Sequence, residues 1–198
     1  MRSMTLQNVF LAAVLACLAA ANVGAATMPF SDVVVNTGSI SETAGYLEFQ
    51  FAPGMGADPA AVAIHILGFD GLLLAPPELN GGASGAFPAI AIDNSTAFND
   101  FFQAVQFGST LHFYATFSGT SENMFGFALY DSTGENPLLS TDPSGFLFTQ
   151  SVGPDGALTT YDFSGGTANI VTPEPGTLAL AVFGLAVAPV VRRIRSRR

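Results

Sequence analysis

The chemistry open to this chain is set by oxygen. Fourteen of its fifteen carboxylates fall between Thr27 and Val171, a stretch with no Lys or Arg and only two histidines, His65 and His112. Within it, Asp131-Ser132-Thr133-Gly134-Glu135-Asn136 gathers side-chain oxygens into one turn, and Asp142 follows closely. Hard cations take such donors, so Asp131, Glu135 and Asp142 are candidate calcium ligands. The spacing is not that of an EF-hand loop, which needs glycine at its sixth position where this turn has Gly134 at the fourth. An ordinary glycine turn accounts for the same residues.

Catalytic patterns are weaker. Gly82-Ala83-Ser84-Gly85 lacks the Gly-x-Ser-x-Gly spacing of a hydrolase nucleophile elbow. The single cysteine, Cys17, lies in the N-terminal leader, so the remaining chain has neither a thiol nucleophile nor an internal disulfide. His65 and His112 read as hydrogen-bonded strand histidines, with no close ligand pair for zinc. A glycosidase needs two carboxyl groups across a cleft, and fourteen carboxylates supply too many pairs for sequence to choose one. His112 shares the polar face of its strand with Tyr114 and Thr116. Tyr114, with His112 beside it, is the candidate glycan-binding pair. Asn94-Ser95-Thr96 is a formal glycosylation sequon that also reads as a turn. Nothing here neutralises phosphates, which excludes nucleic-acid binding.

The elements that position these residues alternate with period two. Tyr46 to Phe51 puts Leu47, Phe49 and Phe51 on one face, with Glu48 and Gln50 on the other. Leu111 to Ser118 and Met124 to Tyr130 repeat the pattern. Asp32 to Asn36, Ala61 to Leu67, Gly145 to Thr149 and Ala157 to Tyr161 are further strands. Turns such as Pro53-Gly54, Asp70-Gly71, Ser118-Gly119 and Asp155-Gly156 separate them. The fold class expected is all-β: an antiparallel β-sandwich or jelly-roll-like ectodomain over 27–164, with a loose linker at 165–172. Its core is expected to centre on Phe49, Phe51, Phe113, Phe117, Phe125, Phe127, Phe146 and Phe148. Gly71 to Ile92 reads as a long loop. Phe98, Phe101, Phe102 and Val105 stand at helical spacing, with Ser95 a candidate cap, but they lead straight into the Leu111 strand; a bulged or twisted strand is the reading preferred.

Two apolar segments flank this body. Residues 1–26 read as a secretory signal peptide: Arg2, an apolar run from Val9 to Ala21, and small residues at Val23-Gly24-Ala25. At the other end, Pro173-Glu174-Pro175 precedes an uncharged run over 176–191 and then Arg192, Arg193, Arg195, Arg197 and Arg198. As a helix that run is about 24 Å long, short against a hydrocarbon core of roughly 30 Å, although snorkelling arginine stems extend it. It is expected to be a single transmembrane helix, with the arginines as a cytoplasmic stop and the acidic body outside.

Pro-Glu-Pro, a short segment rich in Leu, Ala and Gly, and terminal arginines together resemble the PEP-CTERM sorting signal of bacterial exported proteins over 173–198. The resemblance implies recognition by an exosortase, a membrane-embedded transpeptidase, with processing near Pro173, Glu174 and Pro175. It also implies an exopolysaccharide-producing Gram-negative setting, an inner-membrane intermediate with a periplasmic body, and delivery to the cell surface or beyond. Glu48-Phe49-Gln50-Phe51, the run from Phe107 to Phe113 and Leu158-Thr159-Thr160-Tyr161-Asp162 resemble the small β-rich ectodomains that accompany such tails. The expectation is an exported, non-catalytic envelope or matrix protein without a cofactor unless calcium binds. The alternatives are a glycan-binding module associated with exopolysaccharide and, more weakly, an envelope hydrolase.

Overall fold

The computed structural model describes residues 28–54, 58–119, 122–153 and 157–172. The expected signal peptide, the Pro-Glu-Pro motif, the apolar run and the arginines lie outside them. No helix among the described residues is long and apolar enough to cross a membrane.

The described residues are all-β, in two antiparallel sheets. The first takes β1 (Phe30–Asn36), β3 (Ala61–Phe69), β6 (Ala83–Ala86), β7 (Ala89–Asp93), β9 (Thr110–Ser118) and β13 (Ala168–Val171), in the order β13-β1-β9-β3-β7-β6. The second takes β2 (Ala44–Pro53), β4 (Leu72–Leu73), β5 (Glu78–Asn80), β8 (Asp100–Gln106), β10 (Asn123–Tyr130), β11 (Phe146–Val152) and β12 (Leu158–Asp162). Its order is β12-β11-β10-β2-β8-β4, with β5 also on the outer edge of β8. Every strand predicted from alternation is present.

Alternation decides what each strand buries. Leu47, Phe49 and Phe51 of β2 are inaccessible to solvent, as are Val33 and Val35 of β1 and Phe113 and Ala115 of β9. The inward faces of both sheets share one core. Phe49 is at its centre, edge-on to Phe113 of the opposite sheet at a ring separation of 5.0 Å and also 5.0 Å from Phe127. Burying each such ring contributes roughly 1.5–3 kcal/mol. Polar groups that enter the core are paired: the Ser31 hydroxyl donates to Gln150 Oε1 across the two sheets at 2.8 Å.

Three expectations need correction. First, Phe146 is not a core ring. A bulge between Phe127 and Ala128 shifts the β10–β11 register and turns both Leu147 and Phe148 inward. Phe146 then lies on the outer face above Gly126, where a Cβ would sit 2.5 Å from its ring. Phe101 and Phe107 are core rings instead. Second, Gly71 to Ile92 is a set of short strands. β4 and β5 take the free edge of β8, and β6–β7 form a hairpin whose turn holds a cis Phe87-Pro88 bond. The Phe98 to Val105 region contains a strand, as the preferred reading has it, without the helix that its spacing also allowed. Asn99 fixes its start: the buried amide donates to the carbonyls of Phe51 and Thr96, and its oxygen accepts from Gly82 N. Ser95 caps nothing; its N–H donates to Asp93 Oδ1.

Third, 165–172 is no loose linker. Gly165 and Gly166 adopt left-handed φ values of 61° and 92°, which glycine takes without a Cβ penalty. They carry the chain from one sheet to the other, where β13 pairs with β1 from Asp32↔Val171 to Val35↔Ala168. Ser164, buried, closes the turn by accepting from Ala168 N. The folded body therefore runs to Val171. Glu48 lies on the opposite face of β2 from Phe49, as alternation predicts, yet only 8% of it is exposed.

Replacing Phe49 by Ala is expected to cost about 3–5 kcal/mol in urea unfolding, by loss of burial and creation of a cavity. Phe98→Ala, at a ring 54% exposed, is expected to stay within about 0.5 kcal/mol of the parent.

Candidate functional site

The outward face of the first sheet collects both histidines. Tyr114 on β9 stands opposite Asp32 on β1 and His65 on β3. His65 stacks on Tyr114 with ring centroids 4.9 Å apart and planes 17° from parallel. His112, two residues along β9, places Nε2 2.7 Å from Asp32 Oδ1. The neighbouring outward positions hold small side chains: Ala63 and Thr116 on one side, Ala89 and Ala91 on the other. The result is a surface with one aromatic pair and one hydrogen-bonded histidine–carboxylate pair. Such a surface stacks against the apolar face of a sugar ring and offers polar atoms to its hydroxyls. Tyr114 and His112, the candidate pair from sequence, are brought together here. His65 and Asp32 were missed, because cross-strand register decides their proximity. No protein-family model, curated protein or solved structure matches this chain.

The candidate calcium turn is occupied by its own hydrogen bonds. Asp131 Oδ1 accepts from Thr133 Oγ1 at 2.6 Å and from Thr133 N at 3.0 Å, and Oδ2 accepts from Asn136 Nδ2 at 2.7 Å. The Thr133 and Asn136 side chains hold the Asp131 carboxyl well below the usual carboxylate range. Asp142 accepts the Ser144 hydroxyl. Among the described residues, no group of three or more His, Cys, Asp or Glu side chains is arranged to hold a metal ion. The sequon asparagine is likewise engaged: Asn94 Nδ2 donates to Asp58 O and Asn123 Oδ1, and its Oδ1 accepts from Ala60 N.

An open depression of about 270 Å³ lies where Glu42, Asp70, Gln106 and Ser109 meet. Asp70 accepts the Ser109 hydroxyl and Thr110 N, and these bonds, the Ser109 hydroxyl foremost, lower its pKa. A carboxylate held ionised in this way anchors a turn and is poorly suited to donate a proton.

The second sheet has an outward cluster of its own. Tyr46 stacks on Phe102 at 4.6 Å, and Tyr130 lies 6.0 Å from Phe102. The 131–136 turn covers these rings, with Gly134 against both Phe102 and Tyr46. Between the rings, Glu48 is hydrogen-bonded by the Tyr130 hydroxyl. Asp100, only 4% exposed, accepts from Asn80 Nδ2 at Oδ2. Burial raises the pKa of Glu48, partly offset by the Tyr130 bond and reinforced by Asp100. Burial also raises that of Asp100, opposed by Asn80 and reinforced by Glu78. Both values exceed those of the unfolded chain. The stability linked to these two groups is therefore complete below the unfolded carboxylate range and is lost as pH rises through the folded values. In metal-free buffer, the gap in urea midpoint between Glu48→Gln and the parent is expected to shift in favour of Glu48→Gln from pH 4 to pH 8. Parallel pH profiles would refute this.

Proposed function

We propose that this chain is an exported, non-catalytic β-sandwich protein of the jelly-roll kind, sorted through a PEP-CTERM signal and processed by an exosortase. It would reach the envelope or extracellular matrix by way of an inner-membrane intermediate. The observation that carries this reading is the distribution of positive charge. No Lys or Arg occurs between Ser3 and Val191, and five arginines then follow an uncharged run introduced by Pro173-Glu174-Pro175. That asymmetry orients the run with its arginines in the cytoplasm and the acidic body outside. The extent of the folded body supports the same reading. Its last strand ends at Val171, two residues before Pro173, so the motif follows directly on a packed edge strand. Mass spectrometry of the protein from hosts with and without the sorting protease is the test. A chain starting near Ala26 and ending near Pro173, only when the protease is present, is the expected outcome. Full-length protein in the cytosol would refute the proposal.

The second reading is glycan binding, favoured by the His65–Tyr114 stack beside the Asp32–His112 pair. Tyr114→Ala is expected to reduce retention on immobilised exopolysaccharide by about tenfold, the scale of one lost aromatic contact. Absence of retention on any polysaccharide by the parent would end this reading.

A further inference from the structure

We propose that the outward face of the second sheet carries a site for a hard divalent cation of the calcium class, held between Glu48 and Asp100. The two residues lie on adjacent strands, on the same face, two register positions apart: Gln50 is opposite Asp100 and Glu48 is opposite Phe102. Both residues are more than nine-tenths buried. Buried carboxylates need a counter-charge or a full set of donors. Neither is supplied among the described residues. Lys and Arg are absent from the whole stretch between Ser3 and Val191, and both histidines sit on the other sheet. Asp100 shows the deficit at one atom. Its Oδ2 is taken by Asn80 on the β5 side, while its Oδ1 is buried with no hydrogen-bond partner.

One divalent ion balances two carboxylates and gives Oδ1 a partner. Beside the pair stand the Tyr130 hydroxyl on Glu48, Gln50 opposite Asp100 on β2, and Asn80 opposite it on β5, whose Nδ2 donates to Asp100 Oδ2. Carboxylates with no imidazole or thiol on this face favour hard cations over zinc, which takes nitrogen and sulfur more readily. Two carboxylates completed by neutral oxygens and water form an irregular shell, which calcium tolerates and magnesium does not. The small number of charged ligands places the affinity at roughly 10⁻⁴–10⁻³ M, the range of extracellular calcium modules.

The test uses the full chain in detergent at pH 7.5. Adding 5 mM CaCl₂ to the EDTA-treated protein is expected to raise Tm by about 3 °C or more. The rise should vanish in Asp100→Asn and in Glu48→Gln, and persist in Asp131→Asn. No rise in the parent, or an undiminished rise in folded Asp100→Asn or Glu48→Gln, overturns the proposal. Calorimetric titration of Asp131→Asn with CaCl₂ does not depend on how the other variants fold. About one ion per chain supports the site, and no binding overturns it.

Discussion

The contact of Phe49 with Phe113 across the two sheets is the feature on which the other packing rests. No disulfide is available to the body, and no Lys or Arg is present in it to form a salt bridge. Stability must come from apolar burial, and the buried rings supply it as a connected set: Phe49, Phe113, Phe125, Phe127 and Phe148 lie within 6.4 Å of one another in successive pairs. Because those rings occupy alternate positions, they also fix register. A slip of one residue would exchange Phe49 for Glu48 or Gln50 on the inner face.

The same lack of cations shapes the surface. Fourteen carboxylates with no Lys or Arg among them give the body a self-repelling negative charge. Its carboxylates are managed one at a time by hydroxyls and backbone N–H groups, as at Asp70, Asp93 and Asp131. Those three are lowered by bonds to the ionised form. Glu48 and Asp100 are raised because burial outweighs the bonds they accept. The two outward faces are thus electrostatically different: one holds both histidines, the other a pair of costly carboxylates.

Much of the fold was readable from local pattern. Leu47, Phe49 and Phe51 point inward because alternation dictates it, and the strands around Leu111 and Met124 follow the same rule. What escaped the sequence depended on partners distant in the chain. Alternation assigns Glu48 to the outward face correctly, but it does not reveal that Tyr130, Phe102 and the 131–136 turn cover that face. The bulge that ejects Phe146 depends on the pairing of β10 with β11. Gly165-Gly166 suggests slack until β1 is seen to need an edge partner, after which the same glycines form the turn that delivers it. At the candidate site, Tyr114 and His112 share a strand and were visible; His65 and Asp32 join them only through register.

The β1–β13 pairing has a mechanical consequence. The strands are antiparallel, and Val171, at the end of one, lies beside Asp32, near the start of the other. The polypeptide thus enters and leaves the sheet at one corner. Tension between those two points would not spread over the ladder as shear; it would load one rung at a time and peel the short strand away like a zip. Only Ala168 and Ile170 of β13 pack against the core, so such peeling would detach the edge while leaving the phenylalanine interior closed.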